Sequence, residues 1–361
     1  MSLSELYQRA EALIPLGLSE ALMLWQRAPL DELMAVAHRV RLLHVAELRV
    51  TWQIDRNINI TNACAARCLF CGFHAGAGNV PLFTTTKEEY RIKIEELLAK
   101  GGDQILLQGG LDPRLTLEDY ESLFRWLKQE YPSVKLHALG PPEIVFIAQQ
   151  AHCSTHEVLE RLVASGLDSL PGAGAEILSE RVRQKISPRK ATAAQWIAVM
   201  REAQALGMLT SATMMYGHVE TIKERIGHLL LLRDLQAESI RFGRRGFLAF
   251  IAWPYQGNGT RLAKMIEYHP VGATEHLRLI ALARILLTNI PHIQASWLTV
   301  GQDVAALSLW GGADDMGSIM IEENVVSSTG TNYKMDAEGM VALIRNTGFT
   351  PARRNQAYEL I

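Results

Sequence analysis

Thr51-Trp-Gln-Ile-Asp-Arg-Asn-Ile-Asn-Ile60-Thr-Asn-Ala-Cys64-Ala-Ala-Arg-Cys68-Leu-Phe-Cys71 is a strand running straight into a cysteine loop. Ile54, Ile58 and Ile60 share one parity, and Asp55, Asn57 and Asn59 share the other. A strand sends alternate side chains to opposite faces, so the isoleucines are expected to pack under helices and the polar set to face a lumen. Filled barrel cores use Val, Ile and Leu at such inward positions; a polar set predicts a cavity that binds something. Gln294 and Ser296, alternating with Ile293 and Ala295, repeat the pattern late in the chain.

Outward from this stretch the chain alternates. Strand-like runs are expected at 51–60, 104–108, 134–139, 167–170, 209–215, 247–253, 292–298 and 315–320, with helical periodicity at 87–100, 117–130, 155–165, 193–206, 222–236 and 274–288. Repeated βα units imply a parallel sheet under helices, and eight strands suffice to close a (β/α) barrel of the TIM type. A doubly wound sheet is disfavoured because no dinucleotide-type glycine fingerprint follows the first strand. The expected organisation is a helical segment at 1–50, the α/β barrel at 51–330 and a helical extension packed on it at 331–361.

Composition excludes several classes. The 361 residues are 48% hydrophobic and 20% charged with a formal net charge of −2, as in an ordinary soluble domain. No basic footprint for nucleic acid exists, no secretory signal stands at residues 1–9, and no apolar run reaches membrane-span length. A cytoplasmic protein without nucleic-acid or membrane partners is expected. Of four cysteines, three lie between 64 and 71 and Cys153 stands alone, which points to a metal site rather than a disulfide framework.

The spacing C-x3-C-x2-C at Cys64, Cys68 and Cys71 supplies three thiolates at the carboxyl end of the first strand, where barrel active sites gather. Three thiolates can hold three irons of a cubane and leave the fourth open, unlike the four-cysteine clusters of electron carriers. The alternative is a zinc site completed by His74, His137 or Cys153.

With Phe70 just before the last cysteine, this motif resembles the signature of the radical S-adenosyl-L-methionine (SAM) superfamily. That resemblance implies a [4Fe–4S] cluster on Cys64, Cys68 and Cys71, with SAM on the open iron. It implies Phe70 near the adenine, Gln108-Gly109-Gly110 near the SAM amino group, and Glu176 on the SAM ribose. By residue type alone, Gly109 and Gly110 permit a close backbone approach, and Glu176 reads as the opening of a helix. Asp55–Asn62, Pro141-Pro-Glu143, Leu167–Gly172, Ala212–Thr221, Asn289–Trp297 and Ile321–Val325 extend the resemblance to the group that holds the futalosine-pathway menaquinone enzymes and the synthase of the deazaflavin FO. Ile251–Gln256, Ala295–Trp297 and Asp315–Ser318 favour its cyclase branch. The implied substrate is a futalosine-derived, nucleoside-like benzoate, and the implied partner an electron donor such as flavodoxin or ferredoxin. A final proton loss needs a base; His218 and Glu220, expected at the same rim as the cysteines, are the candidates. Residues 355–361 read as packing.

Overall fold

A computed structural model describes residues 2–45, 47–75, 80–330 and 333–361; residues 331 and 332, at the boundary expected from sequence, lie outside these. The strands are β1 (Arg49–Gln53), β2 (Asp55–Asn59), β3 (Gln104–Gln108), β4 (Lys135–Ala138), β5 (Ser169–Leu170), β6 (Leu209–Tyr216), β7 (Phe247–Pro254), β8 (His292–Gln294), β9 (Asp315–Ser318) and β10 (Thr350–Arg353). All join one parallel sheet in the order β10-β1-β9-β8-β7-β6-β5-β4-β3-β2.

β1 and β2 are two parts of one run, interrupted at Ile54. β9 pairs with β1, while β3 pairs with β2 along Asp55–Asn59. The N–H groups of Ile319 and Ile321 carry the β9 side on to the carbonyls of Gln53 and Asp55. The first strand is therefore bonded on both sides and closes a ring of eight, counting β1 and β2 as one. β10 lies outside the ring count, against β1 at Arg49–Trp52.

The helices start where the chain's own chemistry starts them. Thr86, Thr116, Thr192 and Thr221 each cap a helix by accepting from the N–H three places on and donate their own N–H to that residue's side chain, satisfying two otherwise orphaned N–H groups per helix. These helices cover the outer faces of the strands, with Ile54, Ile58 and Ile60 buried beneath them as the parity required. The N-terminal helices Leu3–Glu11, Leu18–Arg27 and Leu30–His44 pack on helix Ala273–Leu286. Arg278 ties them down by donating to the carbonyls of Trp25 and Ala28, and Arg233 donates to Leu16. One continuous apolar core results, running from Leu6 to Phe349.

Two local expectations change. The strand expected at 292–298 stops at Gln294, and the chain turns into a short helix at Trp297–Val300. Ser296 Oγ donates to the Ala252 carbonyl (2.6 Å) and Trp297 Nε1 to the Ser318 carbonyl (3.0 Å), which pins the corner. The last turn of chain also adds strand β10, whose polar, proline-bearing sequence carries no alternation to announce it.

Candidate active site

The lumen opens at the carboxyl ends of the strands as a cavity of ≈ 450 Å³. Asp55, Asn57 and Asn59 line it, as do Gln294 and Ser296, so the parity reading holds for both polar sets. Cys64, Cys68, Phe70, Cys71, Gln108, Gly109, Gly110 and Glu176 line the mouth.

The cysteine loop is held mainly by its neighbours, with Cys71 N–H to the Cys68 carbonyl (3.3 Å) as an internal bond. Asn62 Nδ2 donates to the Pro81 carbonyl and Asn62 Oδ1 accepts from Phe83 N–H (2.8 and 2.9 Å). Ala65 N–H reaches Leu111, and Leu69 N–H reaches Ile186. Gly110 donates to the Thr61 carbonyl at 2.8 Å. A Cβ on Gly110 would lie 2.0 Å from the Ala63 carbonyl oxygen and 2.9 Å from Cys64 Cβ. The close approach expected of this glycine is thus to the cysteine loop itself.

All three thiols are unbridged. Burial pushes Cys68 up to about 12 and also raises Cys71, as an uncompensated anion in a low-dielectric wall requires; positively charged irons reverse that balance. Among the described residues, no three His, Cys, Asp or Glu side chains stand together as a ligand set for one metal ion. A tetrahedral zinc needs such a set, whereas each cysteine of a cubane serves a different iron. Of the alternative zinc partners, His74 and His137 line the cavity, but His137 Nδ1 is engaged with Ser169 Oγ at 2.5 Å. Cys153 lines a separate groove with Val145 and Ala198. The donor set fits the cluster.

Glu176 is not at a helix start. The next helix begins at Glu180, and Glu176 sits before it in a left-handed bend (φ 41°). Its carboxylate pairs with Lys190 Nζ at 2.9 Å and approaches Arg183 Nη1 at 3.4 Å. Burial alone would raise its pKa; Lys190 and Arg183 instead hold it below the ordinary range. Lys190 also lies 5.7 Å from the centre of the Phe70 ring. Glu143, at the start of helix Pro141–Ala151, completes this wall, and burial pushes its carboxyl up to about 7. A cation, two carboxyls and an aromatic ring thus stand beside the thiols on one wall of the cavity. Glu143 stood in the sequence only as part of the Pro141-Pro-Glu143 resemblance, with no role attached, and Lys190 had no signal to set it apart from surface charges.

His218 and Glu220 do follow β6 at the correct rim, but neither lines the cavity. His218 Nε2 bonds the Met215 carbonyl (3.0 Å), and Nδ1 accepts from Val219 N–H (2.7 Å). Glu220 accepts from the N–H groups of Gly217 and His218 and pairs with Arg225 at 2.7 Å. Their polar atoms are consumed in fixing the loop, so the placement does not support the expected role as base.

The chain tail forms the cavity floor. Arg354 pairs with Asp315 through two nitrogens (2.6 and 3.0 Å) and donates to Gln53 Oε1 (2.8 Å). Its guanidinium lies 3.7 Å from the centre of the Tyr358 ring. Gln356 and Tyr358 line the lumen, so the segment read as packing also shapes the site.

A parallel barrel with a three-thiol loop at its mouth is the architecture of a radical SAM enzyme. The Radical SAM superfamily model matches residues 58–232, and the CofH/MqnC C-terminal region model matches residues 244–361; the chain belongs to this superfamily, which uses a [4Fe–4S] cluster and SAM. Two relatives named cyclic dehypoxanthine futalosine synthase are similar across nearly the whole chain. That of Halalkalibacterium halodurans is 38% identical, covering 100% of this chain and 95% of its own; that of Streptomyces coelicolor is 41% identical, covering 94% and 84%. A relative from Methanosarcina mazei, 36% identical over 95% of this chain and 88% of its own, carries another name, 5-amino-6-(D-ribitylamino)uracil–L-tyrosine 4-hydroxyphenyl transferase 2. Among solved structures, methylornithine synthase (PylB) shares the fold with a TM-score of 0.75 at 18% identity, covering 96% of this chain and 97% of that one. Among the described residues no helix is long and apolar enough to cross a membrane.

Proposed function

We propose that this enzyme converts dehypoxanthine futalosine to its cyclic form in menaquinone biosynthesis. The observation that carries the reading is the near full-length similarity to two relatives bearing that name, on a chain whose cavity is lined by three free thiols together with Phe70, Glu176 and Lys190. Cys64, Cys68 and Cys71 would hold the cluster, and Phe70, Gln108, Gly109, Gly110 and Glu176 would line the SAM site. The cluster and SAM, when bound, supply a 5′-deoxyadenosyl radical from one delivered electron. In that reading a ribose hydrogen would end in 5′-deoxyadenosine, the sugar carbon would bond to the benzoate ring, and one electron, passed to an oxidised one-electron acceptor, and one proton, released to solvent, would leave the ring to restore aromaticity. The protein's own part is to orient the ribose and benzoate and to keep water and other hydrogen donors out of the lumen. Lys190 holds Glu176 ionised beside the thiols. A small acidic electron-transfer protein such as flavodoxin or ferredoxin would deliver the electron, and an open-iron cluster calls for the reducing cytoplasm.

The test is anaerobic reconstitution with iron and sulfide, reduction, and addition of SAM and dehypoxanthine futalosine. Mass spectrometry should find 5′-deoxyadenosine and a product two hydrogens lighter than the substrate, and Cys68→Ala should abolish both. Deoxyadenosine without that product moves the substrate to a relative's, with aminofutalosine synthase and FO-synthase chemistry next in line. Failure to form either from an enzyme with an intact cluster sinks the reading.

A further inference from the structure

The inward face of the first strand is polar and unsatisfied. Asp55, Asn57 and Asn59 are 4%, 3% and 2% exposed and line the cavity. Asp55 Oδ1, Asn57 Oδ1 and Asn59 Nδ2 are buried without a hydrogen-bond partner among the described residues. Their other atoms are partly engaged: Asp55 Oδ2 accepts from Gln104 Nε2 (3.1 Å), and Asn59 Oδ1 accepts from Asn324 Nδ2 (3.1 Å). Folded proteins pair nearly all buried polar atoms, and a row of three orphans at alternate positions of one strand is concentrated where a ligand would meet it. The far wall is different in kind. Leu248, Ile251 and Trp253 on β7 and Leu209 and Met215 on β6 line it, and the hydroxyls of Ser211 and Thr213 between them are spent on the backbone N–H and carbonyl of Gly172. The lumen is thus amphipathic across its width.

We infer that the Asp55–Asn57–Asn59 row receives the pentose hydroxyls of the substrate, with Asn57 as its central contact, while the β6–β7 wall takes the aromatic ring. The amides of Asn57 and Asn59 suit hydroxyls, which both donate and accept, and the Asp55 carboxyl oxygen can accept from one; such a row suits hydroxyls better than a carboxylate. The residues alternate at ~6.6 Å along the strand, so neighbouring rungs can bracket a vicinal diol. The inference rests on the proposed function for the identity of the pentose. The same chemistry would also fit the ribityl chain of 5-amino-6-(D-ribitylamino)uracil, and the experiment separates the two.

Titration calorimetry on the oxidised, cluster-loaded enzyme with SAM present would measure binding of dehypoxanthine futalosine, its analogue lacking the 2′ and 3′ hydroxyls, and 5-amino-6-(D-ribitylamino)uracil. The wild-type enzyme should bind the intact substrate at least about tenfold more tightly than the dideoxy analogue. Asn57→Leu should weaken the intact substrate by about the same factor and leave the analogue and SAM itself unchanged. Equal wild-type affinity for substrate and analogue overturns the inference without any variant, whether or not Asn57→Leu folds. An equal loss of SAM affinity in Asn57→Leu also overturns it, by assigning the row to the cofactor. Binding of the ribityl compound alone, with the same Asn57 dependence, keeps the hydroxyl row and sinks the cyclase reading; binding of neither compound sinks both.

Discussion

Single residues carry distinct burdens around this site. Gly110 is needed because the Ala63 carbonyl fills the space a side chain would occupy. Gly110→Ala should displace the cysteine loop, and anaerobic reconstitution should recover well under half of the wild-type iron, read by iron content and visible absorbance. Glu220 has a structural burden. Burial works against its ionisation, but the His218 bond and the Arg225 charge hold its pKa well below the unfolded value of 4.5. A depressed carboxylate stabilises the fold above its unfolded pKa and loses that contribution as pH falls toward its folded value. Glu220→Gln should therefore lower stability at neutral pH and flatten the acid limb below about pH 4.5, as urea melts across pH would show. A role as catalytic base predicts instead an altered pH–rate profile at unchanged stability, and that result would contradict the present assignment. The cysteine spacing was legible because three ligands to one cluster fall on one local loop. Lys190 was not legible, because only the folded chain brings it from a distant loop to Glu176 and Phe70.

At the scale of elements, the tail does what a local reading could not assign. β10 pairs with β1, and Arg354 just beyond it neutralises Asp315 within the floor. Removing one partner of a buried pair leaves an uncompensated charge and costs about 3–5 kcal/mol. Arg354→Met should destabilise the protein by about that amount in denaturant titrations, whereas a loss below about 1 kcal/mol would mean the pair is weakly coupled to folding. The helices, by contrast, were mostly legible. A capping threonine marks the start of four of them, while Pro141–Ala151, Glu180–Ile186 and Gln302–Trp310 were not among the stretches expected to be helical. Strand ends were less so, since β8 ends at a corner fixed by Ser296 and Trp297 bonds to other strands.

For the molecule as a whole, the N-terminal helices, the barrel and the tail share one apolar core. Arg278 and Arg233 stitch the first helices to the barrel's outer layer. Denaturant unfolding followed by far-UV circular dichroism and by tryptophan fluorescence should give coincident transitions. An early, separate loss of helical signal would show that the first fifty residues fold as an independent unit. Closure of the ring also explains how one strand serves two purposes. β1 anchors the floor through β9 and β10, and β2 carries the polar row up to the cysteine loop.

By itself the sequence determined the period-two face of the first strand, the alternation of strands and helices, and the three-cysteine spacing. Each is a local pattern, written by side-chain geometry within a few residues. Tertiary structure alone decided that Glu176 meets Lys190, that His218 and Glu220 turn inward to hold their own loop, and that Arg354 and Tyr358 seal the floor. Those outcomes depend on which distant charges and hydrogen-bond partners arrive when the barrel closes, because a buried polar group takes the partner that the completed fold places beside it.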